Sequence, residues 1–382
     1  MKESMQPWQE PIAKLHDRFS RMLSAWLHRT WYAPLPPSGA WLWHHLLAVG
    51  AALYARGLQH DQRRAAQRRR ELSAYVLSVG NLVVGGTGKT PLCLWLARHL
   101  HHLGYRPAIL SRGYRRRHHD LARVPSGGES SRAVSAFGDE PVLLARRAKP
   151  IPVWVSKDRW QAGTFAMQND DANLLILDDG FQHLGLKRDL DLVLLDARSP
   201  LGNGALLPLG PLREPPGNLA RADAIVLTRA DDPGRTAETH TMISRLLPGK
   251  PVFACRHRLT GLRVGLAGQL ASLEALRGKK AVAFAGIARP ETFFHLLQEA
   301  GLVICDGFPF PDHHRYRDRD FLMLRRAMAE SETAFLVTTE KDLVRLPQGF
   351  QTFTLAARLE LDFGSDHGSF CNFLREKLPP AI

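Results

Sequence analysis

The sequence predicts an α/β protein: a parallel sheet with helices on both faces, a second and smaller α/β unit after it, and a membrane-associated helix before it. Three observations carry that expectation. Short apolar runs alternate with helix-forming stretches from residue 75 onward. A glycine-rich turn ending in Lys-Thr joins the first run to the first helix. An uncharged apolar window followed by arginines precedes both.

In chain order, the window comes first. From 33 to 54 no side chain is charged when histidine is neutral, and Trp41-Leu42-Trp43 and 46–54 are strongly apolar. Crossing a bilayer takes about 20 apolar residues. The window just meets that length, although Pro34, Pro36, Pro37, His44 and His45 dilute it. Arg56, Arg63, Arg64, Arg68, Arg69 and Arg70 follow. Such a basic flank stays on the cytoplasmic side and attracts anionic headgroups. Trp31, Tyr32, Trp41 and Trp43 suit the headgroup level. Residues 1–70 therefore read as an anchor in or on a membrane, the alternative being an amphipathic helix packed on the protein's own core. The small-residue cleavage pattern of a removable signal peptide is missing.

Next, the apolar run 75–79 leads into Gly85-Gly86-Thr87-Gly88-Lys89-Thr90, and a helix over 92–103 follows directly. Only glycine lets the backbone curl so tightly that successive N–H groups meet at one phosphate. The helix start adds its positive dipole end. Lys89 is placed to reach the β- and γ-phosphates, and the Thr90 hydroxyl to sit on Mg²⁺. The usual eight-residue pattern has glycine five places before Gly88, where this chain has Val83. Strand, glycine turn and helix together predict a protein that handles a nucleoside triphosphate.

The runs 107–110, 151–155, 174–177, 192–195 and 225–227 read as further buried strands. Chemistry in such sheets gathers beyond the carboxyl ends of the strands. After 174–177 come Asp178 and Asp179, the expected Mg²⁺-holding carboxylates. After 107–110 comes Ser111-Arg112-Gly113-Tyr114, followed by Arg115-Arg116-Arg117, a phosphate clamp or a solvated basic patch. Gly138-Asp139-Glu140-Pro141 sets two carboxylates at the mouth of a helix, where they serve as caps or in chemistry. The stiff loop 208–216 holds Arg213 beside Glu214, a phosphate-binding fork next to a metal-binding carboxylate, or a surface ion pair.

The alternation weakens between about 231 and 278, and a new unit begins with a strand over 281–285, a helix over 290–300 and a strand over 334–338. The chain is thus divided into an anchor (1–70), a nucleotide-binding domain (71–249) and a smaller α/β domain (250–382). Asp312-His313-His314 lies in the last of these, without the further ligands a zinc site needs, and an Asp–His pair is also how a proton acceptor is oriented.

At 382 residues there is length for two cores, and 45% hydrophobic with 23% charged residues is ordinary for a globular protein. The formal net charge of +14 is not, and it implies an anionic partner: nucleic acid, an anionic membrane surface or a phosphorylated substrate. Cys93, Cys255, Cys305 and Cys371 are too scattered for a zinc site or a disulfide framework, which fits a reducing compartment.

Together the motifs resemble one family, the tetraacyldisaccharide 4'-kinases. The residues that carry the resemblance are Val79-Gly80-Asn81-Leu82, Gly85 to Pro91, Ser111-Arg112-Gly113-Tyr114, Gly138-Asp139-Glu140-Pro141 and Asp178-Asp179-Gly180-Phe181-Gln182-His183. Gly210-Pro211-Leu212-Arg213-Glu214-Pro215, Asp312-His313-His314 and Thr338-Thr339-Glu340-Lys341-Asp342 complete the set. Val83 in place of glycine is also a feature of that family's loop. The resemblance implies transfer of the γ-phosphoryl of ATP, with Mg²⁺, to the 4'-hydroxyl of a tetraacylated glucosamine disaccharide 1-phosphate. It places the enzyme on the cytoplasmic face of an inner membrane, with the lipid and the anionic membrane surface as partners. It implies a catalytic Asp139–His313 pair assisted by Lys89 and Arg213, and nucleotide binding by Gly85, Gly86, Thr87, Gly88, Lys89 and Thr90. Its metal residues fall on Thr90, Asp178 or Asp179, and Glu214, and its substrate residues on Arg112, Tyr114, Glu140 and His183. A monomer that binds no nucleic acid is expected. The rival reading is a membrane-associated P-loop GTPase or ATPase switch or partitioning protein. Thr228-Arg229-Ala230-Asp231 mimics a guanine-reading loop, but Val84 stands where the partitioning class needs lysine.

Overall fold

The computed structural model describes residues 31–32, 41–114, 116, 120–127, 130–265, 268–333 and 335–381. Most of the expected anchor before residue 41, and Arg115 and Arg117, lie outside the described residues.

Parallel strands buried on both faces need near-continuous apolar runs, and the chain supplies them. β1 (Tyr75–Asn81), β2 (Pro107–Ser111), β5 (Leu174–Asp178), β6 (Leu190–Asp196) and β7 (Ala224–Thr228) are buried over nearly their whole length. With the short β3 (Ala122–Arg123), β4 (Val153–Val155) and β8 (Val252–Ala254) they form an eight-stranded sheet in the order β3-β4-β2-β5-β1-β6-β7-β8. Only β3 runs antiparallel to its neighbour. The strand expected from 151 starts at Val153, because Pro150 and Pro152 cannot donate to a ladder. One face is covered by α2 (Lys89–His102), by α4 (Asp139–Ala148), which follows α3 (Ser130–Phe137), and by α10 (His367–Lys377). The other carries α5 (Arg159–Asp170) and α6 (Pro233–Leu246).

A second, six-stranded sheet has the order β10-β9-β14-β13-β11-β12. Its strands are β9 (Arg256–Val264), β10 (Leu270–Ala271), β11 (Lys280–Ala285), β12 (Val303–Pro309), β13 (Leu336–Thr339) and β14 (Thr354–Asp362). α7 (Pro290–Glu299) and α8 (Asp318–Glu330) pack on opposite faces. A one-turn helix, α9 (Glu340–Leu343), begins where β13 ends, with the Thr339 hydroxyl accepting the Asp342 N–H. The division at residue 250 needs one correction. β8 joins the first sheet, and α10 buries Phe370, Phe373 and Leu374 in the first sheet's core beside Trp95 and Phe253. A lone amphipathic helix at a chain end does not announce which sheet it will cover.

α1 (Trp41–Gln67) is two-faced. Ala51 is buried, Gly50 abuts Pro208, and the Tyr54 hydroxyl donates to the Arg213 carbonyl oxygen at 2.8 Å, so one stripe packs on the proline-rich loop. Trp43, Leu46, Val49 and Leu53 form an apolar stripe that remains exposed. Among the described residues no helix is long and apolar enough to cross a membrane.

Candidate active site

β1, at the centre of the first sheet, ends against the glycine turn, and α2 begins at Lys89. Gly85 and Gly88 take φ of +119° and +89°, and a Cβ on Gly88 would stand 3.0 Å from His257 Nε2, so neither position accepts a side chain without strain. Among the described residues no side chain caps the helix start, which leaves its N–H groups for an anion. Lys89 Nζ donates to Asn81 Oδ1 at 3.0 Å and lies 3.4 Å from Asp179. Residues 83–91 line a cleft of about 2300 Å³ whose walls come from the strand ends of the first sheet and, opposite them, from the second unit.

The two strand-end aspartates differ. Asp178 finishes β5, buried, and accepts from Ser111 Oγ at 3.1 Å. Burial, with Glu140 and Asp179 nearby, pushes its carboxyl up to about 7. Asp179 turns away at φ +56°. Burial alone would raise it too, but Lys89 and Arg213 outweigh that and hold it well below the usual carboxylate range. Arg213 Nη1 lies 2.9 Å from both Asp179 oxygens and 3.2 Å from Gln182 Oε1. Glu214 is the next residue along this loop. It is fully buried and absent from the cleft wall, and its Oε2 accepts from Gln62, Asn218 and Arg221 at 2.8, 2.6 and 2.7 Å. It ties α1 to the proline-rich loop, while its Oε1 is buried with no hydrogen-bond partner among the described residues.

Among the described residues no three His, Cys, Asp or Glu side chains converge as a metal site. Thr90 and Asp178 both face the cleft, and Asp178 makes no ion pair among the described residues. One hydroxyl and one uncompensated carboxylate fit Mg²⁺, which binds few protein oxygens and keeps its waters.

Across the cleft, His313 (φ +59°) places Nδ1 2.9 Å from Asp139 Oδ2. Asp139 opens α4, and its Oδ1 accepts the Glu140 N–H at 3.0 Å. His313 lines the cleft, whereas Asp139 is buried behind it. Burial works against the Asp139 charge, yet His313, Arg345 and Lys341 hold the carboxyl well below its usual range. Arg345 Nε and Nη2 reach Asp139 Oδ2 at 2.7 and 2.5 Å. Lys341 Nζ lies 3.4 Å from His313 Nε2 and 3.1 Å from Glu140.

Arg112, Tyr114, Glu140 and His183 also line the cleft. The Tyr114 ring is 6.0 Å from that of His313. Burial, reinforced by Arg159 and Arg188, pushes His183 down to about 4, so it is neutral. The guanine-loop mimic is otherwise engaged: Arg229 bonds Asp196 and the Gly86 carbonyl oxygen, both at 2.6 Å, and Asp231 pairs with Arg198. Sequence reasoning missed Lys157 and Arg159, although they follow β4 by the same strand-end rule, and missed Arg345, which no local pattern marks.

A parallel sheet with a phosphate loop at its centre, a strand-end carboxylate beside that loop and an Asp–His pair across the cleft define a P-loop phosphotransferase. The family model described as tetraacyldisaccharide-1-P 4'-kinase matches residues 43–379. The chain is 49% identical to the tetraacyldisaccharide 4'-kinase of Syntrophobacter fumaroxidans over 93% of both chains. With that of Syntrophus aciditrophicus it is 41% identical over 83% of this chain and 88% of the other. A crystal structure of LpxK from Aquifex aeolicus in complex with ATP superposes with a TM-score of 0.70 at 29% identity, covering 88% of this chain and 99% of that one. The chain belongs to the tetraacyldisaccharide 4'-kinase family.

Proposed function

We propose that the cleft transfers the γ-phosphoryl of ATP to the 4'-hydroxyl of a tetraacylated glucosamine disaccharide 1-phosphate, with His313 receiving the hydroxyl proton. Family membership across 43–379 supports the reaction. The observation that carries the assignment of roles is the 2.9 Å contact between His313 Nδ1 and Asp139 Oδ2, made with only the histidine on the cleft wall. Asp139 is the other member of the pair that could take the proton. A buried carboxylate stabilised as an anion by two partners is a weak proton acceptor, so its part is to orient His313 and to balance the imidazolium that forms.

As the hydroxyl oxygen bonds to the γ-phosphorus, its proton passes to His313 Nε2, the bond to the β,γ-bridging oxygen breaks, and ADP leaves. The transition state is loose, so positioning and charge neutralisation supply most of the rate. Lys89 and the first turn of α2 hold the phosphates. Arg213, spent on Asp179, holds that carboxylate in place more than it holds substrate. Mg²⁺, bound through Thr90 and Asp178, would neutralise charge on the β- and γ-phosphoryl oxygens.

The exposed stripe Trp43–Leu46–Val49–Leu53 with the arginines after it suits the anionic cytoplasmic face of an inner membrane, where a lipid substrate stays embedded. The test is to incubate the full chain with ATP, Mg²⁺ and the disaccharide 1-phosphate in detergent micelles. A bisphosphorylated lipid with one ADP per product is expected. ATP hydrolysis of equal rate without lipid, and no such product, would refute the assignment.

A further inference from the structure

We infer that Arg345 is a positioning residue for this reaction, delivered by the second unit to fix the charge of Asp139 and the tautomer of His313; the inference rests on the dyad reading above. Arg345 follows α9, and its side chain is only 6% exposed. Its guanidinium is fixed on both sides. Nη1 donates to the Gly286 carbonyl oxygen and to Asp342 Oδ1, each at 3.1 Å. Asp342 is itself fully buried and accepts from Tyr316 at 2.9 Å and Thr339 at 2.6 Å. The Gly286 carbonyl also accepts the His313 backbone N–H at 3.2 Å, so one peptide group sets both partners of Asp139. From this base Nε and Nη2 reach into the first unit and close on Asp139 Oδ2.

The donor inventory then decides the imidazole. A guanidinium and an ammonium only donate, and an ionised carboxylate only accepts. His313 Nδ1, between Asp139 at 2.9 Å and Arg345 Nη2 at 3.3 Å, must therefore carry its hydrogen and give it to the carboxylate. Nε2, with Lys341 Nζ at 3.4 Å, must be the bare acceptor. That tautomer presents a lone pair to the cleft, which a sugar hydroxyl needs. Remove the guanidinium, and Asp139 loses the cation that contacts its Oδ2 and keeps it ionised and turned toward Nδ1, with only Lys341 left as a positive neighbour. The charged and titratable groups facing His313 are then Asp139, Lys341, Asp312 and, through its ring, Tyr114.

The test compares Arg345→Met and Arg345→Lys with the parent chain, using a short-chain acceptor in micelles. For Arg345→Met, kcat is expected to fall about 10²-fold or more while KM for ATP stays within about twofold, because Arg345 lies on the dyad and not on the phosphate loop. The acidic limb of the kcat profile should move to higher pH, because losing a cation beside the pair favours its protonated form. Arg345→Lys, which keeps the charge, should leave that limb in place and recover part of kcat. A fall in kcat with an unmoved acidic limb in the Met variant, or no fall, overturns the inference. Should the Met variant not fold, Asp342→Asn, which loosens the guanidinium from behind, must shift the limb the same way, and an unshifted limb there is equally fatal. His313→Ala separates the two levels. If it retains full activity, the dyad reading fails. If it is inactive while the Arg345 and Asp342 variants are unshifted, only the role of Arg345 fails.

Discussion

Replacing His313 by alanine and Asp139 by asparagine, singly and together, tests whether the pair works as one unit. His313→Ala removes the proposed proton acceptor, and general base help is worth ~10²–10⁴-fold, or about 2.7–5.5 kcal/mol of barrier at 1.36 kcal/mol per decade. Asparagine is the better replacement for Asp139, because its amide oxygen still accepts the Glu140 N–H now received at 3.0 Å. Either replacement leaves Arg345 buried with its main counter-charge gone, a loss of about 3–5 kcal/mol in stability for a broken buried pair, but asparagine also keeps an oxygen for the guanidinium to donate to. Asp139→Asn removes the anion that holds Nδ1, so its kcat should fall within the same range as His313→Ala. The double variant should be little worse than the worse single one, since an oriented base cannot be lost twice. The assay is steady-state phosphorylation of a short-chain disaccharide in micelles, with kcat and KM for ATP fitted separately. KM for ATP should stay within about twofold. Losses that multiply, giving ~10⁴–10⁸ in the double variant, would show that the residues act independently and would refute the dyad. Stability adds a check of sign. The Asp139 carboxyl is depressed in the folded protein, so its contribution is present above the ordinary carboxylate value of ~3.9 and is lost as pH falls below it. The stability gap between parent and Asp139→Asn should therefore narrow below about pH 4.

Glu214→Gln should lower the melting temperature and leave the Mg²⁺ dependence of kcat unchanged, because Glu214 compensates Arg221 and tethers Gln62 away from the cleft; a steep rise in Mg²⁺ requirement would restore it as a ligand. Leu46→Gln with Leu53→Gln on the exposed stripe of α1 should reduce sedimentation with phosphatidylglycerol vesicles while ATP affinity holds, and unchanged sedimentation would place the membrane contact elsewhere. His183 and His257 are both pushed down to about 4, first by burial. Their contribution is full above the ordinary value of ~6.5 and is lost as pH falls toward 4, at up to about 1.4 kcal/mol per pH unit for each. Chemical denaturation at pH 7.5, 6 and 5, flattened by His257→Gln, checks this, and parallel curves for parent and variant would contradict it.

The first sheet was readable because its strands are buried on both faces and so appear as unbroken apolar runs. The second was read only in part. β9 (Arg-His-Arg-Leu-Thr-Gly-Leu-Arg-Val), β12 and much of β14 are half exposed, and their charged residues hide the strand pattern. The glycine turn was legible for a similar local reason, since its geometry excludes other residues. Glu214 was set apart from Arg213 by the strand period, which the sequence alone did not show. Its neighbour Leu212 bridges Val83 in extended backbone, where successive side chains point to opposite sides, so Arg213 faces the cleft and Glu214 the interior. Arg345 had no signal at all, because what selects it is a carboxylate 206 residues away in the chain.

That distance has a consequence for how the site is built. Among the described residues five cation–anion links join α2 and α4 of the first unit to the second: Arg98 to Glu360, Arg147 to both Glu340 and Glu360, Lys341 to Glu140, and Arg345 to Asp139. The two buried pairs, Arg147–Glu340 and Arg345–Asp139, add little net stability, since desolvation offsets most of their attraction, but each is costly when one partner is missing. They therefore favour one docked arrangement over its near neighbours. Two of the five hold the very groups that flank the dyad, with Lys341 at Nε2 and Arg345 at Nδ1 and Asp139. Correct docking and a correctly poised base are then the same event: a displaced second unit loses the orientation of His313 together with the charge balance of α4. In a kinase whose acceptor is a hydroxyl, water entering an open cleft competes for the same phosphoryl group. A proton acceptor that exists only when the two units meet limits that loss without any further device.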